Sequence, residues 1–301
     1  MIESLKHFIP PFFLDKLQYM KAYLKFYSYK NLVKQNHIYK DIHKGERFFI
    51  LGSGKSIDKE DLMPLKDEIL IGVHSFVHHP NFSELFNADV SKYFFSAPIH
   101  GPYSEDHWKH YLIELEEKIS KNVTNIFGIS NYHPSIKDIN DKYEIFTDRG
   151  TIWFFSNVVN NSSVYKPQLK DLDLTSNIWS ANTGSILALI CALYMGFDEI
   201  YLLGMDHDYF LYKNGEGRFD VIDQSSPSLK AEKDHINKLN QVDSKLYKPS
   251  ILKEEFKSLS YVFDQYHRLN NLHPNRIFNL GKNSLLDMFP HKDLTSLIEG
   301  K

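Results

Sequence analysis

Cysteine is almost absent from this sequence, since Cys191 is the only one in 301 residues. A single thiol excludes an intrachain disulfide, and its place in an apolar segment favours a small buried side chain over a nucleophile. The sequence also lacks a continuous apolar run of 18 residues, the length that a membrane-spanning helix needs, and it begins without a signal-peptide pattern. These features are typical of a protein in a reducing compartment, and we expect a cytoplasmic location.

A large excess of charge of one sign is also missing. The chain has 35 Lys and Arg against 38 Asp and Glu, a net charge of −3. No face of such a protein has to be strongly basic, which argues against a dedicated nucleic-acid-binding protein. The hydrophobic content of 42% and charged content of 24% are typical of a soluble globular protein, long enough for one large domain with appendages.

Residues 1–44 differ from the rest because aromatic and aliphatic side chains alternate with lysines, namely Lys6, Lys16, Lys21, Lys25, Lys30 and Lys34. This composition predicts a helical arm ahead of a domain that spans residues 45–301. Two interpretations stay open. The arm packs on the core or on a partner subunit, or it lies on the anionic inner face of the cytoplasmic membrane with its rings at the headgroup level.

The strongest pattern lies in residues 180–209. Small and polar residues at 180–185 suit a helix N-terminus, and the run from Ile186 to Met195 is apolar on every face, which predicts a helix buried all round. Gly196 then ends that helix, and Ile200–Leu203 is typical of a central parallel strand. The pattern predicts a single Rossmann-like α/β domain with a mostly parallel sheet.

Shorter patterns fill in the remaining elements. Apolar runs predict strands at Arg47–Leu51, Ile69–Val73, Tyr93–Ser96, Thr124–Phe127 and Arg276–Asn279. Other patterns predict helices at Ile57–Leu65, Glu105–Lys121, Ile251–Asn271, Asn283–Phe289 and Lys292–Ile298. The long polar stretch at about 210–250 has the composition of a lid over a binding site.

A glycine-rich loop, Gly52–Ser56, follows the first predicted strand. A strand, a glycine turn and a helix N-terminus form an anion site, because backbone amides and the helix dipole point at the ligand. The loop is neither a P-loop nor a dinucleotide fingerprint, since Phe49 and Ile57 stand where those motifs need glycine. His74 and Ser75 end the second predicted strand, where we expect them to face a nucleotide.

Several segments together resemble a known group of proteins. They are Ile50–Ile57, Gly72–Ser75, Asn182–Gly184, Gly196–His207 and Phe278–Leu286. The chain is similar to the bacterial sialyltransferases of glycosyltransferase family 42 and to the related 6-hydroxymethylpterin diphosphokinase-like family of surface-glycan biosynthesis. The resemblance implies a GT-A-like variant of the fold. It also implies inverting transfer of a CMP-activated nonulosonic acid, a sialic-acid-like sugar, to a bacterial surface glycan or glycolipid without a cofactor.

The resemblance also implies roles for individual residues. Nucleotide binding falls to Gly52, Ser53, Gly54, Ser56, His74, Ser75, Asn182, Thr183 and Gly184. Contact with the donor phosphate falls to His207 or Tyr209, Asp206 belongs to the same catalytic group, and the general base in the lid is His235. Ser53, Lys55 and His74 depart from the sialyltransferase pattern, and the Asp206–His207 pair is closer to the diphosphokinase-like family.

The two histidines are predicted to differ in charge. His207 lies between Asp206 and Asp208 in the sequence, and neighbouring carboxylates favour the imidazolium form, which suits a departing phosphate. His235 lies in a polar segment, where a pKa near ~6.5 suits a general base. We therefore expect His235 to take the acceptor proton.

Two other functions stay open. The first is ATP-dependent diphosphotransfer to a pterin-like alcohol, in which carboxylates such as Asp206 and Asp208 hold Mg²⁺. The second is a non-catalytic nucleotide-binding subunit of a glycan assembly complex. No dedicated metal site is predicted, because His78 and His79 have no acidic or cysteine partner at ligand spacing. The sequence leaves the oligomeric state open, including a homo-oligomer.

Overall fold

Eight strands form one sheet in the computed structural model, which describes residues 11–87, 89–99, 104–157, 172–178, 180–211, 251–282 and 284–299. The strands are β1 Arg47–Leu51, β2 Ile69–Val73, β3 Lys92–Ser96, β4 Thr124–Ile129, β5 Thr151–Ser156, β6 Asn177–Ile178, β7 Glu199–Leu203 and β8 Ile277–Asn279. The five strands that the apolar runs predict outside residues 180–209 are all present, as is the strand after the buried helix.

The strand order in the sheet is β6-β5-β4-β3-β2-β1-β7-β8, and every neighbouring pair is parallel. The Rossmann-like α/β fold predicted from the sequence is confirmed. The chain runs outward from β1 to β6 and then crosses back to place β7 on the other side of β1. In parallel sheets, ligands bind at such a reversal, beyond the carboxyl ends of the strands.

Seven α-helices occur in the described residues. They are α1 Pro11–Lys34, α2 Phe82–Phe86, α3 Glu105–Lys118, α4 Ile136–Tyr143, α5 Gly184–Met195, α6 Ile251–Leu272 and α7 Leu294–Glu299. Helix α5 is buried from Ser185 to Met195, as its uniformly apolar sequence predicts. It ends at Gly196, whose φ of 92° is readily adopted only by a residue without a side chain. None of these described helices has both the length and the apolar character to cross a membrane.

The sheet separates two apolar layers. Alternate residues of β1 serve both, with Phe48 and Ile50 on one face and Phe49 and Leu51 on the other. Helices α5 and α6 cover the first face, while α1, α3 and α4 cover the second. Both faces of the sheet are therefore covered along its centre, which leaves the carboxyl edge as the place for a site.

Two predicted helices are wrong. The segment Ile57–Leu65 forms short 3₁₀ turns at Lys55–Lys59 and Met63–Leu65 instead of an α-helix. Ile57 and Leu62 are both buried, yet their spacing of five places them on different sides of an α-helix. Among the described residues of 284–289, no helix forms either. Leu285 N–H donates to the Asp206 carbonyl at 3.1 Å and Asn279 Nδ2 of β8 donates to the Leu286 carbonyl at 3.2 Å, so these groups bond to other parts of the fold.

The second half of α1 packs on the far part of the sheet. Val33 is fully buried, and the Phe26 ring lies edge-on to Phe155 of β5 with centroids 5.4 Å apart. The Tyr29 hydroxyl donates a hydrogen bond to the Asp138 carboxylate of α4, at 2.6 Å. Of the two interpretations of the arm, packing on the core describes this half of the helix.

Candidate functional site

The glycine loop after β1 is bound to the loop after β7. Gly52 N–H donates to the Leu203 carbonyl and Gly54 N–H donates to the Gly204 carbonyl, both at 2.8 Å. A Cβ on Gly52 would lie 2.5 Å from the Gly204 carbonyl oxygen, far inside van der Waals contact. Glycine is needed here because two backbones approach each other closely.

Asp206 completes the connection between these loops. Its carboxylate accepts hydrogen bonds from the Ser56 N–H, at 2.8 Å, and from the Ser56 hydroxyl. The side chain is buried, and a Cβ on Gly54 would lie 2.6 Å from its carboxyl group. The expected cradle of loop amides is therefore wrong for Gly52, Gly54 and Ser56, whose N–H groups are bonded within the protein. Asp206 holds the loop in place through these two hydrogen bonds.

His207 follows Asp206 and has a left-handed backbone, φ 57°. The ring packs edge-on against Tyr266 and Phe263 of α6, with centroid distances of 5.3 and 6.4 Å. Burial lowers the pKa of His207 to about 4. The prediction of an imidazolium is wrong, because the Asp206 carboxylate points to Ser56 and desolvation favours the neutral ring.

A chain of hydrogen bonds fixes which ring nitrogen carries the proton. The Tyr266 hydroxyl donates to Ser185 Oγ at 2.6 Å, and Ser185 Oγ lies 3.0 Å from Thr183 Oγ1. A phenol has one proton to donate, so its oxygen accepts from His207 Nε2 at 3.1 Å, and Nε2 carries the imidazole proton. Nδ1 then keeps its lone pair, and it receives no hydrogen bond from the part of the chain that the structure describes.

Tyr266 and Ser185 were not among the predicted site residues. Tyr266 falls on the apolar stripe of α6 with Leu259, Val262 and Leu269, so its spacing predicts only a core residue. Burial raises the pKa of the Tyr266 phenol, which keeps its proton on the hydroxyl. A buried polar tip that needs a partner is the one signal that could have drawn attention to it.

His74 lies on the other side of β1, directly after β2, and also has a left-handed backbone, φ 49°. Its Nε2 accepts a hydrogen bond from the Ala97 N–H at 3.3 Å. The ring rests against the first residue of α5, since a Cβ on Gly184 would lie 2.4 Å from His74 Nε2. The structure thus brings together the end of β2 and the start of α5, two segments that the resemblance assigned to the nucleotide.

Hydrogen bonds from a side chain of α6 hold the N-terminus of α5 in place. Asn182 N–H donates to Gln265 Oε1 and Gln265 Nε2 donates to Asn182 Oδ1, each at 2.9 Å. Thr183 is the N-cap residue, and its side chain does not bond the first amides of the helix. The first-turn amides are therefore left to other partners, which is the arrangement in which a helix N-terminus accepts an anion.

The remaining predicted site residues fall into two groups. Ser53 and Ser75 are partly buried at the carboxyl ends of β1 and β2, and Tyr209 begins a short 3₁₀ helix, Tyr209–Leu211, after β7. His235 and residues 212–250 of the predicted lid lie outside the described residues. Within the described ranges, no group of three or more His, Cys, Asp or Glu side chains is arranged to hold a metal ion.

The sequence matches no known protein-family model and no curated protein.

Proposed function

We propose that this protein is an inverting glycosyltransferase that moves a CMP-activated nonulosonic acid onto a bacterial surface glycan. The observation that carries the proposal is a neutral histidine, His207, with an unprotonated Nδ1 at the carboxyl edge of a parallel sheet. A hydrogen-bonded chain connects that ring to the N-terminus of α5, where an anion is stabilised. A base and an anion site joined in this way suit group transfer from a phosphate donor.

The reaction needs one bond to form as another breaks. The acceptor hydroxyl oxygen attacks the anomeric carbon of the sugar, the bond from that carbon to the phosphate oxygen breaks, and CMP leaves with the electron pair. The base takes the acceptor proton, and attack from the opposite face inverts the anomeric centre. CMP has a single phosphate, which helix amides and hydroxyl groups stabilise as it departs.

The donor phosphate fits the start of α5. Gly184 has no side chain to cover the helix amides, and His74 and Thr183 lie beside it. The helix dipole adds partial positive charge at this end. The hydroxyls of Ser53 and Ser75 at the neighbouring strand ends are the candidates for the cytidine ribose and base.

We propose His207 as the base in place of His235, which lies outside the described residues. An imidazolium cannot accept a proton, and burial keeps His207 neutral at physiological pH. A base whose pKa is about 4 is weaker than the ideal, but the sugar carboxylate and the phosphate of a bound donor add negative charge nearby. Negative charge raises the pKa of a histidine, so donor binding strengthens this base.

Diphosphotransfer from ATP ranks second. That reaction needs carboxylates that hold Mg²⁺, and the Asp206 carboxylate already accepts two hydrogen bonds from Ser56. A catalytically inactive nucleotide-binding subunit would use the same donor site without a base. The inactive-subunit function does not explain the hydrogen-bond chain that fixes the His207 tautomer.

A thermal-shift panel separates the three functions. The full-length protein is heated with CMP, CDP, UDP and ATP, each with and without Mg²⁺, and the melting temperature is compared. Stabilisation by CMP that does not depend on Mg²⁺ is expected. Stabilisation by ATP only with Mg²⁺ would support diphosphotransfer instead, and CMP binding without transfer or hydrolysis of any CMP-sugar would support the inactive subunit.

A further inference from the structure

Helix α1 has two apolar faces, and the described part of the chain covers only one of them. The covered face carries Phe26 and Val33, both buried against the sheet. Its position is fixed by the Tyr29 hydroxyl, which donates to Asp138 at 2.6 Å, and by the Lys25 ammonium 3.6 Å from the same carboxylate. These contacts hold the helix on the domain and determine which face points outward.

The outward face carries four large apolar side chains in a row. Met20, Tyr23, Leu24 and Tyr27 are 58, 59, 69 and 61% exposed. Their spacing of three, four and seven residues places them on one side of the helix, and we call this group the arm face. Scattered single apolar residues are normal on a surface, whereas a contiguous exposed group marks a contact with another surface.

The charges of α1 indicate which kind of surface that is. The helix contains five lysines, Lys16, Lys21, Lys25, Lys30 and Lys34, and its only acidic residue is Asp15. The Lys30 ammonium lies 5.1 Å from the centre of the Tyr27 ring, and Lys34 is exposed one heptad after Tyr27 on the same side. Cations beside exposed aromatic rings fit a layer of anionic headgroups over an apolar interior.

We propose that the arm face lies on an anionic lipid bilayer, with Tyr23, Leu24 and Tyr27 at the boundary between headgroups and acyl chains and Lys30 and Lys34 at the phosphate level. The proposal goes beyond the proposed reaction and does not depend on it. A second copy of the chain is a poorer occupant, because two arm faces in contact would bring the like charges of Lys30 and Lys34 from both copies into one interface.

Vesicle co-sedimentation tests the proposal with the full-length protein. We expect it to bind vesicles of phosphatidylcholine mixed with phosphatidylglycerol, to bind pure phosphatidylcholine vesicles far less, and to be released by high salt. The double substitution Tyr23→Ser/Leu24→Ser is expected to weaken vesicle binding by more than about tenfold. Each large apolar side chain that moves from water into the bilayer contributes about a factor of ten to the affinity, and the variant has lost two of them. Point substitutions test the arm face more specifically than deletion of the arm, because a deletion would also remove Phe26 and Val33 from the core.

The matched control replaces the same two residue types elsewhere on the surface. Tyr132 and Leu211 are 39 and 67% exposed, and Tyr132→Ser/Leu211→Ser should bind anionic vesicles like the natural protein. Equal loss in both double variants, or no loss in either, would overturn the proposal. So would a dimer in analytical ultracentrifugation that Tyr23→Ser/Leu24→Ser converts to a monomer without a change in vesicle binding, since the arm face would then be a self-association surface.

Discussion

His74 and His207 lie beyond the carboxyl ends of the two strands that flank β1, and both have left-handed backbones, yet their rings present opposite chemistry. Nε2 of His74 accepts a hydrogen bond from the Ala97 N–H, so the proton of the neutral ring is on Nδ1. Nε2 of His207 instead donates to the Tyr266 oxygen, which leaves the lone pair on Nδ1.

The difference shows that a histidine at a strand end takes its role from the group opposite its ring. A backbone N–H opposite His74 makes Nε2 an acceptor, which leaves Nδ1–H as the donor of the ring. A phenol whose proton is already given to Ser185 makes His207 donate through Nε2. In the proposed transferase, His74 therefore belongs with the donor phosphate at Gly184, and His207 belongs with the acceptor proton.

Replacing the two histidines separately gives the largest expected effect. His207→Ala should lower turnover about a hundredfold or more, the scale for loss of a general base, with little change in CMP affinity. His74→Ala should weaken CMP binding, because its ring contacts the helix start where the phosphate fits. The checks are steady-state kinetics and calorimetric CMP titration on each variant.

The same pair of variants can contradict the assignment. If His207→Ala loses CMP affinity while His74→Ala loses turnover alone, the roles are exchanged. If both retain full turnover and His235→Ala does not, the base is the lid histidine that the sequence first indicated.

The strands and helix α5 could be predicted from sequence because each depends on local pattern. Apolar runs of four or five residues specify buried parallel strands, and the uniformly apolar run before Gly196 specifies a buried helix. The Ile57–Leu65 helix was mispredicted because its buried residues do not fall on one helical stripe.

The chemistry of the site could not be predicted in the same way, because it depends on partners far away in the chain. Asp206 is held by Ser56, which is 150 residues distant, and this contact engages the carboxylate that the sequence places next to His207. The Tyr266 hydroxyl that fixes the His207 tautomer comes from a helix 59 residues later. Sequence neighbours therefore predicted the wrong charge for His207, whereas neighbours in space determine it.

Acidification gives the next largest effect, and it distinguishes a buried neutral His207 from a protonated one. The pKa of His207 is about 4 in the folded protein and about 6.5 when unfolded. Its contribution is therefore fully present above pH 6.5 and is lost as the pH falls toward 4, because the unfolded chain binds the proton more tightly. Between pH 7 and pH 5 this group should lower the free energy of unfolding by about 2 kcal/mol.

Urea denaturation of the natural protein and of His207→Gln at several pH values measures that contribution. Other groups such as His79 and the half-buried His273, whose pKa values burial also lowers, titrate alike in both proteins. The difference between the two pH profiles thus isolates His207. Identical profiles would mean that the ring is not held neutral by burial.

Gly184→Ala perturbs the start of α5 and the His74 ring that rests on it, and it should have a smaller effect. The new Cβ would lie 2.4 Å from His74 Nε2, so the ring has to swing away from the helix start. CMP affinity should fall about tenfold, the equivalent of one hydrogen bond to a charged group, while turnover at saturating donor stays close to normal. Gly150→Ala is the matched control, since its Cβ would meet nothing within 4 Å. Equal CMP affinity in the two variants would remove His74 from the donor site.

The smallest expected effect comes from Tyr266→Phe, which perturbs the His207 side alone. Loss of the hydroxyl leaves the Nε2 proton of His207 without its acceptor and frees the ring to change tautomer, while Ser185 keeps its contact with Thr183. The free energy of unfolding should fall by about 1 kcal/mol and turnover by roughly fivefold, less than loss of the base itself.

Tyr194→Phe is the matched control for this variant, because it also removes a buried phenol, one that donates to the Asn36 carbonyl at 3.1 Å on the far side of α5. Both variants should lose similar stability, but only Tyr266→Phe should change the ¹⁵N shifts that report the His207 tautomer. If the tautomer and the turnover are the same in the two variants, Tyr266 is a core residue only. The contrast between the two strand-end histidines would then have to come from the backbone that carries them.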